Sequence, residues 1–138
     1  MIFYEIKINY TRQTGEDNPA PVNENYLIEG YSCPDVETRL LDEIKPLISG
    51  EWEIKSCKQV QYLDIFASPN ADYWYKARVE NITIDDRGKE KRQAVNMLVQ
   101  ANNITEANKL LHANIGNTEC EVIGLTKSKI LEIYRAVK

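Results

Sequence analysis

The sequence is poor in the side chains from which most metal and redox sites are built. It holds three cysteines in 138 residues, Cys33, Cys57 and Cys120, and no two of them have the Cys-x-x-Cys spacing. An odd number of widely separated cysteines argues against both a metal cage and a disulfide framework. We therefore expect reduced thiols with structural roles, since cysteine in an apolar strand pattern acts as a small hydrophobe.

Long apolar runs are also missing. No segment approaches the run of about 18 apolar residues that a membrane-spanning helix needs, and no basic stretch followed by an apolar signal region precedes the strand pattern at Ile2. We expect a cytoplasmic protein without a membrane partner. Hydrophobic residues make up 43% and charged residues 28% of the chain, which is ordinary for globular proteins, and its length suits one compact domain.

The motifs of the common enzyme classes are absent too. The sequence has no glycine-rich phosphate loop, no Gly-x-Ser-x-Gly elbow and no His-Glu-x-x-His pair. The only histidine, His112, falls on the surface of a predicted helix, which does not suit a general base. Asp42-Glu43 and Asp85-Asp86 fall on an outer helix face and in a turn, where solvated charge is favoured over cation binding. We expect no catalytic residues, no metal site and no cofactor.

What the sequence does contain is an internal repeat. Three segments of the first half reappear in the second with aromatic, apolar and polar classes in register, at offsets of 71, 71 and 68 residues. The pairs are Phe3 to Ile8 with Trp74 to Val79, Tyr26 to Gly30 with Met97 to Ala101, and Val60 to Phe66 with Ser128 to Tyr134. A repeated hydrophobic pattern indicates a repeated supersecondary unit that covers its apolar face with its twin.

Each repeat has the pattern of two strands, a helix and a third strand. Ser32 and Asn103 precede apolar helical stripes, and each is followed three residues later by a carboxylate, as in helix caps. Asp85 to Lys89 has the form of a hairpin turn. We predict an α+β fold of two pseudo-symmetric strand-strand-helix-strand repeats, at about 1–67 and 72–138, forming one compact domain with antiparallel sheet and the helices packed on it.

The end of each repeat is ambiguous. Gln59 to Phe66 and Lys127 to Tyr134 fit either a further short strand or a helical turn, because periodicity resolves short apolar runs poorly. In the second repeat, the spacing of Ile130, Ile133 and Tyr134 favours a helix.

The two halves differ in charge. Residues 1–70 carry 6 Lys/Arg and 12 Asp/Glu, whereas residues 71–138 carry 11 and 9, so the net charges are −6 and +2. Such divergence is expected if a shared core is kept while the outer faces serve different contacts, or if one half faces an anion.

The best candidate for a binding site is one face of the strand at about 74–84 with its hairpin partner. Its side chains are Trp74, Lys76, Arg78, Lys91 and Arg92. Rings interleaved with cations on a sheet are typical of single-stranded nucleic-acid sites, because bases stack on rings and phosphates pair with cations. In the competing interpretation Trp74 and Phe3 fill the seam between the repeats and the lysines keep the sheet soluble. An acidic pI of about 5.1 also opposes polyanion binding.

Five segments carry a resemblance to a known family. They are Phe3 to Ile8, Tyr26 to Glu29, Pro46 to Ile54, Trp74 to Lys76 and Ala94 to Ala101. Together they resemble a family of short bacterial and bacteriophage proteins classed as domain of unknown function 4494. The resemblance spans nearly the whole chain and is most specific at Ile48 to Glu51 and Met97 to Ala101. It implies a compact protein often found on mobile elements, and it carries over no catalytic residue.

Two functions are compatible with these observations. The first is non-enzymatic binding of single-stranded nucleic acid or a nucleotide, in a protein of phage or mobile-element type. The second is a protein-interaction or assembly module. That module would be either a homo-oligomer in which the acidic half meets the basic half of a neighbouring subunit, or a phage accessory factor that engages a host protein.

Overall fold

Eight strands and two helices make up the part of the chain that the computed structural model describes, residues 2–12, 20–116 and 120–135. The strands are β1 (Ile2–Arg12), β2 (Ala20–Gly30), β3 (Ile48–Val60), β4 (Asp64–Phe66), β5 (Tyr73–Ile84), β6 (Glu90–Ala101), β7 (Cys120–Lys127) and β8 (Ile130–Tyr134), and the helices are α1 (Cys33–Ile44) and α2 (Ile104–Ile115). A 3-10 turn, Lys45–Leu47, leads from α1 into β3. The predicted α+β fold is confirmed. No helix of the described residues has the length and apolar character needed to span a membrane.

The strands form two four-stranded sheets, ordered β3-β1-β2-β8 and β4-β6-β5-β7. Three strands of each sheet pair antiparallel, as predicted, but β8 and β4 each run parallel to their neighbour. A parallel neighbour cannot be reached through a tight hairpin. Both sheets are therefore mixed, and their fourth strands arrive from elsewhere in the chain.

The last strand of each repeat lies in the sheet of the other repeat. β4 follows β3 along the chain but pairs with β6, and β8 follows β7 but pairs with β2. The chain divides into unit 1, Met1–Gln61 with Lys129–Lys138, and unit 2, Tyr62–Ser128. The sequence repeats and the structural units thus differ by one exchanged strand in each direction.

Both repeats use the same strand register, displaced by the offsets seen in the sequence. The pair Tyr4–Ile28 of β1 and β2 recurs 71 residues later as Tyr75–Val99 of β5 and β6. A bulge opposite the Lys7-Ile8 step of β1 recurs opposite the Arg78-Val79 step of β5. Because a bulge is a specific local feature of a strand pair, its repetition supports descent of both repeats from one ancestor.

Both helices begin at the predicted caps. The Ser32 hydroxyl accepts a hydrogen bond from the Asp35 amide at 3.3 Å, and the Asn103 side-chain oxygen accepts one from the Glu106 amide at 2.8 Å. These bonds satisfy first-turn amides that have no partner within a helix. The predicted turn between β5 and β6 is also present, with Gly88 at a φ of 78°.

Each unit has an apolar core between its helix and one face of its sheet. In unit 1 the buried residues of this core are Tyr4, Ile6, Ile8, Tyr10, Tyr26, Ile28, Val36, Leu40 and Ile44. In unit 2 they are Ala77, Val79, Met97, Val99 and Leu111, with Tyr75, Ala101 and Ala107 in an adjoining cluster. The helices pack on the sheets as predicted, and the second core is built from smaller side chains than the first.

The ambiguous ends of both repeats are strands. The helical preference of the second end is therefore wrong, because Ile130 to Tyr134 pair with β2 instead of following their short-range spacing. Pairing with a sheet edge overrides a weak local signal over so few residues.

Cys33 and Cys57 form a disulfide, so the prediction of reduced thiols is wrong for these two. Cys33 opens α1 and Cys57 lies in β3, with Cα atoms 6.1 Å apart, a distance typical of disulfides. They lie 24 residues apart in the sequence, and the packing of α1 on its sheet brings them together. Cys120 takes no part in this disulfide, and its thiol donates a hydrogen bond to the side-chain oxygen of Asn81 at 2.8 Å.

Candidate functional site

Trp74 is buried, with 6% of its surface exposed. Its backbone carbonyl accepts hydrogen bonds from the amide and the hydroxyl of Ser128, both at 2.8 Å. A base can stack only on a ring that solvent reaches. The aromatic member of the predicted nucleic-acid face therefore offers no stacking surface in this structure.

The four cations of that face do not form one patch. Lys76 and Arg78 are exposed on the face of β5 that points away from α2, and Arg92 of β6 shares that face because it pairs with Ile82. Arg92 lies four residue positions beyond Arg78, about 13 Å along the strand. Lys91 points to the opposite face, since neighbouring residues of a strand alternate.

Arg92 already has anionic partners. Its guanidinium lies 2.6 Å from the carboxylate of Glu121, 3.7 Å from that of Glu90 and 3.9 Å from that of Glu80. The hydrogen bond to Glu121, followed by the charge of Glu90, raises the pKa of Arg92. A phosphate at this position would have to displace these carboxylates, so Arg92 is not poised to bind a polyanion.

The other polar residues singled out in the sequence lie at the surface. His112 is exposed on α2, and Asp42 and Glu43 are exposed on α1. The Asp85 carboxylate stabilises its own turn by accepting hydrogen bonds from the amides of Arg87 and Lys89. Within the described residues, no three His, Cys, Asp or Glu side chains come together as a metal site would require.

Strand exchange also changes the charge of the two structural units. Unit 1 carries 9 Lys/Arg and 12 Asp/Glu, and unit 2 carries 8 and 9, so the net charges are −3 and −1. The contrast of −6 and +2 between the sequence halves is lost, because basic residues of the C-terminal segment belong to unit 1. Both structural units therefore carry a small net negative charge.

The feature that the two units share is an edge that receives a parallel strand. We call the outer edge of β2 in unit 1 and of β6 in unit 2 the acceptor edge. Leu27 of β2 pairs with Ile133 of β8, and Leu98 of β6 pairs with Ile65 of β4. The received segments have the same pattern of an acidic residue, isoleucine and an aromatic residue, Glu132-Ile133-Tyr134 and Asp64-Ile65-Phe66. Two equivalent edges thus accept chemically equivalent strands in the same register.

Side chains of unit 1 also hold β8 at its acceptor edge. The Tyr134 ring stacks on the Tyr26 ring, with centroids 5.9 Å apart and planes inclined by 18°. Arg39 of α1 donates to the carbonyls of Glu29 and Arg135, the latter at 3.3 Å, and so connects β8 to β2 from the helix side. The Arg135 guanidinium lies over the Phe3 ring, 5.7 Å from its centroid.

A buried polar network lies beneath the same edge. The Glu24 side chain is 7% exposed, and its carboxylate accepts hydrogen bonds from the hydroxyls of Tyr10 and Tyr26. Burial, followed by the hydrogen bond with Glu24, raises the pKa of the Tyr26 hydroxyl well above its ordinary range. Tyr26 therefore connects this network to the stacked Tyr134 of β8.

Sequence reasoning missed both the acceptor edges and this network, although signals for them exist. Glu24 occupies the same alternating positions as the core residues Tyr26 and Ile28, so an acid pointing inwards could have been noticed. The change of offset from 71 to 68 at the last segment is compatible with exchange, but it is equally compatible with a shorter connection. No local pattern states which sheet a strand joins.

Comparison with known proteins identifies one family. A family model described as Domain of unknown function (DUF4494) matches residues 2–136. No curated protein and no solved structure matches the chain.

Proposed function

Because the chain belongs to the DUF4494 family, whose description assigns no activity, we propose from the geometry that it is a protein-interaction module that receives extended strands at its acceptor edges. One observation carries this proposal. Both edges accept a parallel strand of the same pattern in the same register, and neither strand is the sequence neighbour of the edge strand that receives it. Addition of a strand to a sheet edge is a general mode of peptide recognition.

The chemistry of the occupying strands defines the expected partner. Main-chain hydrogen bonds along the edge supply affinity for any extended segment, and side-chain pockets supply specificity. The unit 1 edge provides a tyrosine ring that stacks on the aromatic residue of the segment and an arginine that binds the carbonyl of the next residue. The partner is therefore a segment with an acidic residue, isoleucine and an aromatic residue in succession.

A labelled peptide of residues 128–135 tests this proposal. In the wild type, β8 occupies the edge, so the apparent affinity for the peptide is reduced by the small fraction of molecules with an open edge. Tyr134→Ala removes the stacked ring from β8 but leaves the edge intact. We expect this variant to bind the peptide at least about tenfold more tightly than the wild type in fluorescence anisotropy.

Leu131→Ala is the matched control, since Leu131 lies in β8 but is 45% exposed. It should bind the peptide as weakly as the wild type, and a scrambled peptide should bind neither variant. The peptide should also raise the thermal midpoint of Tyr134→Ala but not that of Leu131→Ala. If Tyr134→Ala shows neither binding nor a midpoint shift at high micromolar peptide, strand acceptance is refuted.

Single-stranded nucleic acid has weaker support as a ligand. Lys76 and Arg78 are exposed cations, but the Trp74 ring is buried and Arg92 is ion-paired. Titration of labelled oligonucleotides at low salt separates the two functions, because phosphate binding is strongest there. Binding that is lost in a Lys76→Ala, Arg78→Ala double variant would favour nucleic acid. A cytoplasmic location and a bacterial or bacteriophage source on a mobile element stay predictions from the sequence and the resemblance.

A further inference from the structure

We propose that a second copy of this chain is a natural occupant of the unit 1 acceptor edge, so that two copies exchange β8 and form a closed dimer. This inference rests on the proposed function, because it assumes that the edge accepts a strand from another molecule.

The donor and acceptor parts of unit 1 are separate in the sequence. The edge and its supporting side chains Phe3, Tyr26 and Arg39 belong to Met1–Gln61, whereas β8 belongs to Lys129–Lys138. Every contact described between β8 and the edge can therefore form equally well with the β8 of another copy. Exchange keeps these contacts, so its main thermodynamic cost is the lost freedom of two molecules.

The connection to β8 is short. β7 ends at Lys127 and β8 begins at Ile130, so only Ser128 and Lys129 separate a strand of unit 2 from a strand of unit 1. The amide and the hydroxyl of Ser128 donate to the Trp74 carbonyl, so Ser128 is held in unit 2. The chain paths of the monomer and of the exchanged dimer would therefore separate at Lys129. Short connections of this kind favour exchange, because few residues are available to lead the chain from a strand of one sheet to a strand of the other within one molecule.

The geometry selects β8 over β4 as the exchanged strand. β4 has three residues, Asp64–Phe66, whereas β8 has five, Ile130–Tyr134, and contributes the Tyr134 ring that stacks on Tyr26 at the edge. When each copy gives its β8 to the other, both edges are filled and the pair is closed with two-fold symmetry, so assembly stops at the dimer.

Deletion of Ser128 and Lys129 tests the exchange. No residue then separates Lys127 of β7 from Ile130 of β8, so we expect β8 to pair with the edge of another copy more readily than with that of its own molecule. Light scattering should show more than about half of the deletion variant as dimer at roughly 50 µM, and a smaller but measurable dimer fraction in the wild type at the same concentration. A Ser128→Ala, Lys129→Ala variant keeps the length of the connection and should behave as the wild type.

The peptide of residues 128–135 shows whether the dimer forms through β8. Excess peptide should fill both acceptor edges and convert the dimer of the deletion variant into monomer. A dimer that peptide does not dissociate would place the association on another surface and overturn the proposal. A folded deletion variant that remains monomeric would overturn it as well.

A second measurement covers the case in which the deletion variant fails to fold. Wild-type protein can be held near its unfolding midpoint at about 1 mM, returned to native conditions and analysed by size-exclusion chromatography. If β8 is exchanged, a slowly dissociating dimer should form, and added peptide should reduce its amount. If no dimer forms, exchange is refuted. Binding of the peptide by Tyr134→Ala without dimerisation would leave strand acceptance standing and remove only the second copy as its occupant.

Discussion

The ring of Tyr134 in β8 stacks on the ring of Tyr26 in β2, with centroids 5.9 Å apart. This contact joins a segment of the second sequence repeat to the sheet of the first. Tyr26 also donates its hydroxyl to the buried carboxylate of Glu24. A single tyrosine thus connects the exchanged strand to the polar network inside unit 1.

Removal of the Tyr134 ring should destabilise unit 1 more than removal of another side chain of β8. Tyr134→Ala loses a half-buried ring and its stacking partner, which we expect to lower the free energy of unfolding by about 2 kcal/mol. Leu131→Ala, at a position that is 45% exposed, should cost about 0.5 kcal/mol or less. Urea unfolding followed by circular dichroism measures both values. Equal losses would mean that stacking contributes nothing.

The stability of unit 1 should fall in alkaline solution. The pKa of Tyr26 is raised from its ordinary value of 10.0, mainly because burial disfavours the charged phenolate. The folded state favours the neutral hydroxyl of Tyr26. The contribution of Tyr26 to the free energy of unfolding is therefore complete below pH 10 and is lost as the pH rises towards the pKa of the folded state. Thermal midpoints measured between pH 8 and pH 11.5 should therefore decline at the upper end.

Tyr26→Phe supplies the control for this pH dependence. It lacks the titrating hydroxyl and also the hydrogen bond to Glu24, so it should be less stable at neutral pH but lose less stability above pH 10. All other side chains are common to the two proteins, so the difference between their curves reports the Tyr26 hydroxyl. Parallel curves for Tyr26→Phe and the wild type would therefore contradict the prediction.

Gly30 permits a close approach of α1 to β2. A Cβ atom at this position would lie 2.5 Å from Val36 Cγ1 and 2.6 Å from Asp35 Oδ2. Gly30→Ala should therefore cost about 1–3 kcal/mol of stability, as overpacked sites do. Gly124→Ala is the matched control, because an added Cβ there meets nothing within 4 Å, and it should be neutral or slightly stabilising. Chemical denaturation compares the two, and a tolerated Gly30→Ala would show that the helix can shift.

The disulfide predicts the thiol content of the protein. Titration with a thiol reagent in denaturant should find one thiol per chain, that of Cys120, without reductant, and three after reduction. Reduction should also lower the stability by about 3 kcal/mol, because a loop of this length no longer restricts the unfolded chain. Three thiols before any reduction would disprove the bond.

Cysteine variants test whether reductant lowers the thermal midpoint by breaking the disulfide. A Cys33→Ser, Cys57→Ser double variant should have the same thermal midpoint with and without reductant. Cys120→Ser should remain as sensitive as the wild type, since its thiol takes no part in the disulfide.

Much of the fold could be predicted because it depends on local patterns. The caps at Ser32 and Asn103 and the turn at Gly88 are each specified by a few adjacent residues. The register of the repeats also follows the sequence, since equivalent apolar positions must face equivalent cores. The candidate site was less predictable, because strand alternation at Trp74 indicates a face but not whether that face is covered.

Periodicity and capping act over a few neighbouring residues, so the elements, their order and the duplication can be read from the sequence. The exchange of β4 and β8, the pairing of Cys33 with Cys57 and the redistribution of charge between the units depend on long-range packing. The physical reason is the similarity of the repeats. Two nearly equivalent edges can each accept either of two nearly equivalent strands, so the choice between them depends on the path of the whole chain.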